Sequence, residues 1–384
     1  MAGTIRKIAK KFFIVSNIVL TVFVAIACLV PWLNPGTYWW SAILGLGMPV
    51  MIGVQLIFLV FWLIARSRWA WLPVVSILLS FQQIAAFFAF STSSWKEEKK
   101  EGTLRVMTWN VSRWDEYNRK KRGGVSYRDV MLDVVRKQNA DILCFQEFFE
   151  SKMAKRYDPN IVEFTRKMGY PYHYFAVEQK IYSGDYLIGN IIFSRYPIID
   201  TGKVQLGESK RVENMAFADV LVKGKKIRIM TTHLQSVLFN EGDYRGIDNI
   251  GNSKEETLRA SKTILSKLRR AYYYRGLQAD KLKGEMDKSP YPIILTGDFN
   301  DVPTSYTYFT LRGKKKDVFL EKGGGIGRTF RMISPTLRID FILADPSIKV
   351  EQFKRPTVHY SDHYPQIADL NIDALVQPQP KDPG

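Results

Sequence analysis

The chain opens with three long apolar runs and then changes character. Residues 12–30, 39–64 and 69–90 carry almost no charge, with Arg66 and Arg68 falling in the gap between the second and third. Each run is long enough to cross a bilayer, which takes ~20 apolar residues because hydrocarbon offers backbone groups no water to bond. Trp32, Trp39, Trp40, Trp69, Trp71 and Trp95 fall near run ends, where amphipathic rings sit at headgroup level. The pattern predicts a membrane domain over residues 1–95 with three transmembrane helices. The polar stretch STSSWKEEKKEG follows, and residues 96–103 read as a tether.

From Leu104 onward, period-two and helical spacings alternate. Strands are predicted over residues 104–110, 141–146, 188–194, 215–222, 226–232, 291–296, 338–343 and 365–370, and helices over 127–138, 149–168 and 253–274. Lys223-Gly224 between two of these strands is a hairpin signal. Mixed strands and helices make residues 104–374 an α/β domain, with sheets covered by helices. Residues 375–384, ending in QPQPKDPG, read as a disordered tail.

Charge orients this plan. The protein has 384 residues, with 55 Lys and Arg against 37 Asp and Glu. Residues 1–95 hold Arg6, Lys7, Lys10, Lys11, Arg66 and Arg68 and no acid, leaving a net +12 on the remainder. Basic residues stay on the cytoplasmic side, so the N-terminus and second loop are expected inside, and three spans deliver the C-terminal domain outside. The expected location is the cell membrane, multi-pass, with the domain extracytoplasmic. A competing reading takes Arg6 to Lys11 and Ala25-Ile26-Ala27-Cys28 as a cleaved lipoprotein-type signal. It leaves the domain on the same side. Two cysteines exclude a disulfide framework.

Polar residues recur where strand-like runs stop. Asn110 follows LRVMTW, Glu147 follows ILCFQ, His233 follows IRIMTT, and Asp298 and Asn300 follow PIILTG; Asp340 lies in LRIDFIL, and Asp362-His363 in YSDHYP. Singly, these read as turn residues, caps and a satisfied core histidine. Together they form a set of hard oxygen donors and imidazoles suited to a cation such as Mg²⁺ and to phosphate.

This combination resembles the endonuclease/exonuclease/phosphatase superfamily, the group of deoxyribonuclease I, apurinic endonucleases, neutral sphingomyelinases and inositol polyphosphate phosphatases. The residues carrying the likeness are Thr108-Trp109-Asn110, Gln146-Glu147, Ser194-Arg195-Tyr196-Pro197, Thr232-His233-Leu234, Gly297-Asp298-Phe299-Asn300, Arg338-Ile339-Asp340-Phe341 and Ser361-Asp362-His363. The resemblance implies a four-layer α/β sandwich and Mg²⁺, with Mn²⁺ as substitute. It implies Glu147 as main metal ligand with Asn110 and Asp362 beside it, and Asp298 directing the attacking water with Asn300. His233 and His363 would contact the phosphoryl group, and Asp340 would fix the tautomer of His363. Ser112 stands where apurinic endonucleases carry an acid, and Leu337-Arg338-Ile339-Asp340 where inositol phosphatases carry a Trp-Cys-Asp-Arg type sequence. Both departures favour the general reading over those two specialities.

The expected function is a membrane-anchored Mg²⁺-dependent phosphoester hydrolase. Its expected partners are the bilayer and a phosphoester substrate, with a phospholipid or sphingolipid headgroup favoured, because tethering concentrates it. No protein partner is implied. The alternatives are a metal-dependent nuclease, which the basic excess would suit, and a non-catalytic membrane scaffold. Four other segments read blandly. The stretch EKGGGIGR lacks the ending of a phosphate-binding loop, NRKKR reads as a solvated loop, and Leu238-Phe239 and Tyr272-Tyr273-Tyr274 read as core packing.

Overall fold

The computed structural model describes residues 2–91, 94–153, 156–207, 213–248 and 254–375. Helices α1 (Ala2–Ala27) and α2 (Trp39–Ile64) are each long and apolar enough to cross a membrane. The third run is broken: α3 (Trp71–Leu79) and α4 (Phe81–Phe87) meet at Ser80 with a bend of 57°. There the hydroxyls of Ser76 and Ser80 donate back to the carbonyls of Leu72 and Ser76, at 3.1 and 2.7 Å, a contact that bends helices. The three runs are held together by polar side chains in their midst. Asn17 Nδ2 donates to Gln55 Oε1 (2.8 Å), Trp62 Nε1 to Asn17 Oδ1 (3.2 Å), and Gln55 Nε2 to Ser76 Oγ (3.1 Å).

The globule follows as β1 (Ala89–Phe90), β2 (Thr103–Asn110), α5 (Arg128–Gln138), β3 (Ile142–Ser151), β4 (Tyr172–Ile181), β5 (Tyr186–Ser194), β6 (Ile198–Gln205), β7 (Asn214–Val222) and β8 (Lys225–His233). It continues with α6 (Glu241–Asp248), α7 (Lys254–Asp287), β9 (Ile293–Asp298), α8 (Tyr306–Arg312), β10 (Lys316–Asp317), α9 (Val318–Lys322), β11 (Gly324–Gly325), β12 (Asp340–Ala344), β13 (Lys349–Lys354) and β14 (Gln366–Asn371). Two six-stranded sheets face each other, ordered β13-β14-β2-β3-β5-β4 and β10-β12-β9-β8-β7-β6. Alternation along the strands sorts the core. Val106, Ile142 and Cys144 meet Ile229, Ile294 and Ile342 between the sheets. Met107, Leu143 and Phe145 turn outward to Met131 and Val135 of α5, and Met230 and Leu295 turn outward to Leu282 of α7 and Leu311 of α8. The result is the expected four-layer α/β sandwich.

Among the described residues, the helix expected over residues 149–168 is reduced to one turn. β3 runs on to Ser151, and residues 161–167 form that turn. Phe148 and Phe149 are both fully buried, packed on Trp114 and Tyr186, so aromatic packing against a sheet face wins over helical spacing. The hairpin at Lys223-Gly224 is present, with φ of +50° and +80° at its two residues. Strands β1, β4, β6, β10, β11 and β13 are additions to the expected set.

The apolar N-terminal segment and the globule are stitched together. β1 pairs antiparallel with β11, the glycine-rich stretch, and buried Arg338 donates to the carbonyl of Ala86 at 2.7 Å. Residues 96–103 lie against the globule: Lys96 and Gln352 exchange two hydrogen bonds of 2.9 Å, and Lys99 pairs with Asp141 at 2.6 Å. Leu375 is buried between the sheets; the rest of the expected tail lies outside the described residues.

Candidate active site

Each sheet contributes one parallel pair. β2 and β3 run together, so Asn110 ends level with Gln146, and β8 and β9 set His233 beside Asp298. β12, antiparallel to β9, places Asp340 opposite Asp298. Gly297 at φ +135° lies so close to β8 that a Cβ would collide with the carbonyl of Thr232, which explains the glycine in Gly-Asp-Phe-Asn. Glu147 occupies a bulge where the β3–β5 register shifts between Phe145 and Phe148, and its φ is +49°. Asn300 also has positive φ, +53°. Non-glycine residues persist there only where the surroundings hold them.

Asp298 is the hub. Its Oδ1 accepts from the amide of Asn300 (2.8 Å) and its Oδ2 from Asn110 Nδ2 (3.0 Å). His363 Nε2 and His233 Nε2 lie 3.6 and 3.8 Å from the same Oδ2. Behind His363, Asp340 Oδ2 is 2.9 Å from Nδ1, and the carbonyl of His363 accepts from Trp109 Nε1 at 2.9 Å. Ser361 bridges the last loop to β2, donating to the carbonyl of Asn110 (2.8 Å). On the far side, Glu147 Oε2 meets Arg113 Nη2 at 3.0 Å.

Burial lifts Asp298 to about 6, against the pull of His363 and His233. Burial alone would lower both histidines, yet Asp340 and Asp298 raise His363 well above its ordinary value, and Asp298 and Glu147 raise His233. Burial likewise opposes ionisation of Glu147, but Arg113, His233 and His363 hold its carboxyl below the usual range.

Asn110, Glu147, His233, Asp298, Asn300, Asp362 and His363 all line one cavity of about 750 Å³. Asp340 stands behind it. Glu147, Asn110 and Asp362, which line this cavity together, carry oxygen donors of the hard kind that a divalent cation of the Mg²⁺ type takes. Asp298, Asp340 and His363 also offer ligand atoms within 4.8 Å of one another, but Asp340 is engaged by Nδ1 of His363. Five charged cavity residues went unread in the sequence: Arg113, Glu178, Glu213, Arg275 and Asp301. Glu178 carried a signal, an acid inside a strand-like run (FAVEQK). Leu238 and Phe239, expected in the core, face this cavity, and Leu238 is half-exposed at φ +57°.

A family model described as Endonuclease/Exonuclease/phosphatase family matches residues 107–363, and a domain of unknown function matches residues 10–87. No curated protein matches. Among solved structures, an endonuclease/exonuclease/phosphatase from Beutenbergia cavernae is 21% identical, covering 71% of this chain and 72% of that one, with a TM-score of 0.51. The two share a fold. One from Bacteroides vulgatus is 18% identical over 70% of this chain and 98% of that one, TM-score 0.49. A mannosyl-6-phosphatase from Bacteroides thetaiotaomicron is 17% identical over 70% and 99%, TM-score 0.45.

Proposed function

The chain belongs to the endonuclease/exonuclease/phosphatase family of divalent-metal-dependent phosphoester hydrolases, and on that basis we propose that it cleaves a phospholipid or sphingolipid headgroup phosphoester at the membrane surface. The observation carrying this reading is a contact between the catalytic loop and a membrane helix. Thr304, six residues beyond Asp298, donates its hydroxyl to the carbonyl of Gly45 on α2 at 2.7 Å. A site so attached stays at the bilayer face, where lipid phosphate is always present.

Mg²⁺, or Mn²⁺ in its place, would be held by Glu147, Asn110 and Asp362. When bound, it offsets phosphate charge and polarises a phosphoryl oxygen. Asp298 directs a water in line with the scissile bond and accepts its proton, a role suited to a carboxylate lifted to about 6. Asn300, fixed by its hydrogen bond to the carbonyl of Leu234 (2.9 Å), steadies that water or a phosphate oxygen. His233 and His363 face the phosphoryl oxygens as imidazolium donors, and Asp340 keeps Nδ1 of His363 protonated.

The multi-pass, domain-outside arrangement is supported by the loop between α1 and α2. Asn34 there donates to Asp280 of α7 at 2.6 Å, so this loop lies on the globule's side, and the basic N-terminus and Arg66/Arg68 fall on the other. The test is full-length protein in vesicles of phosphatidylethanolamine, phosphatidylglycerol and sphingomyelin with Mg²⁺, where headgroup phosphate is released and a chelator stops the release. The nuclease reading keeps one specific support. A second cavity, about 560 Å³, is lined by Tyr117, Tyr157, Tyr182, Tyr186, Arg119 and Arg156, groups on which bases stack. Cleavage of single-stranded DNA with no lipid turnover would install that reading instead.

A further inference from the structure

The catalytic cavity has a wall that is not part of the globule. Ile43, Leu46, Gly47 and Val50 of α2 line it together with Glu147 and Asp298. Their spacing of three, four and seven puts all four on one helix face. Leu238, Phe239, Ile264 and Leu268 of the globule line it as well. The cavity is thus polar at the end holding the carboxylates and imidazoles, and apolar where the membrane helix closes it.

We infer that this apolar part is a chain-binding slot, and that an aliphatic chain of the substrate lies along α2 while its phosphoester sits at Asp298. The inference rests on the lipid reading and specifies it: α2 selects substrate as well as anchoring the enzyme. Three observations favour an aliphatic chain as the occupant. The slot is continuous with the catalytic site, so a chain covalently joined to the phosphoester can reach it. The whole cavity, slot and catalytic end together, measures about 750 Å³, within the roughly 300–1,000 Å³ typical of ligand sites. Its depth also fits. At ~1.5 Å per residue, the 26 residues of α2 exceed a hydrocarbon core of ~30 Å, so with Ile64 at the inner boundary Ile43 stands near headgroup level and Val50 beneath it. A chain can therefore pass from the bilayer into the slot without crossing water.

Gly47 provides the test, because a Cβ there meets nothing within 4 Å and a larger side chain projects into open space. Gly53 on the same helix has equal room but does not line the cavity. Full-length wild type, Gly47→Phe and Gly53→Phe are compared on alkyl 4-nitrophenyl phosphodiesters of increasing chain length in one detergent. In wild type and Gly53→Phe, kcat/KM rises with each methylene by about threefold until the slot is full. In Gly47→Phe the long-to-short ratio falls about tenfold or more. Partition into detergent is common to all three and cancels. Gly47→Val gives a graded, partial loss should Gly47→Phe not assemble. A flat chain-length profile in wild type, or an unchanged ratio in both Gly47 variants, overturns the slot even if vesicle lipid is cleaved. A collapsing ratio with no vesicle lipid cleaved keeps the slot and removes the headgroup reading.

Discussion

Arg113 and Glu147 form an ion pair of 3.0 Å at the mouth of the catalytic cavity, and both sit in left-handed backbone, at φ +58° and +49°. Arg113 belongs to a run of four such residues, Ser112 to Asp115, which carries its guanidinium back over the strand end. In the proposed metal site a divalent cation would compete with Arg113 for the same carboxylate. Replacing Arg113 with Ala is therefore expected to lower the metal concentration needed for half-maximal activity. Lost phosphate attraction should raise KM about tenfold. Metal titration and substrate titration of the same variant check the two opposite movements.

Glu147→Gln and Asp298→Asn should each lower turnover ~10²-fold or more, since several kcal/mol of transition-state stabilisation go with one essential group. Their thermal unfolding in detergent should stay close to wild type. Near-normal rates at saturating Mg²⁺ in either variant would remove that residue from its role.

Glu178 gives a pH dependence. Burial raises its pKa from 4.5 to about 7, so the folded protein holds this proton more tightly than the unfolded chain. Its stabilising contribution is full below pH 4.5 and is lost as pH rises through about 7. Glu178→Gln keeps an oxygen to accept from Asn190 Nδ2 and the Asn214 amide. The variant should flatten the fall in melting temperature across that window and be the more stable protein above it.

Gln55 joins all three apolar runs through Asn17, Thr21 and Ser76. Gln55→Leu should loosen their packing by about 1 kcal/mol, the scale of hydrogen bonds between membrane helices. Unfolding of full-length protein in graded denaturing detergent measures this.

A reporter active only outside the cytoplasm, fused after Gly384, should be active, and one fused between Arg66 and Arg68 should not. Reversed signals would reverse the proposed topology.

Much of the site was legible because its residues close strands whose period-two patterns are strong: LRVMTW before Asn110, IRIMTT before His233, PIILTG before Asp298. Parallel pairing then brings those ends together. Strands β4 and β6 were missed because each is a sheet edge with a half-exposed surface, which leaves little alternation to read. Arg113 reaches Glu147 only through a positive-φ run and a bulge, neither of which leaves a mark in residue type. The slot was out of reach for another reason. Gly47 and Leu238 are far apart in the chain, and nothing local tells Gly47 from Gly53.

The β1–β11 pairing, the Arg338–Ala86 hydrogen bond and the Thr304–Gly45 contact join parts of the chain separated by more than two hundred residues. Proteolytic shedding, by which many surface enzymes leave the cell, needs a single cut in the connecting stretch. Here such a cut would sever the covalent link and leave the catalytic domain clasped to its own apolar helices. In the proposed membrane setting the enzyme would stay bound, with its cavity wall intact, after the chain had been broken.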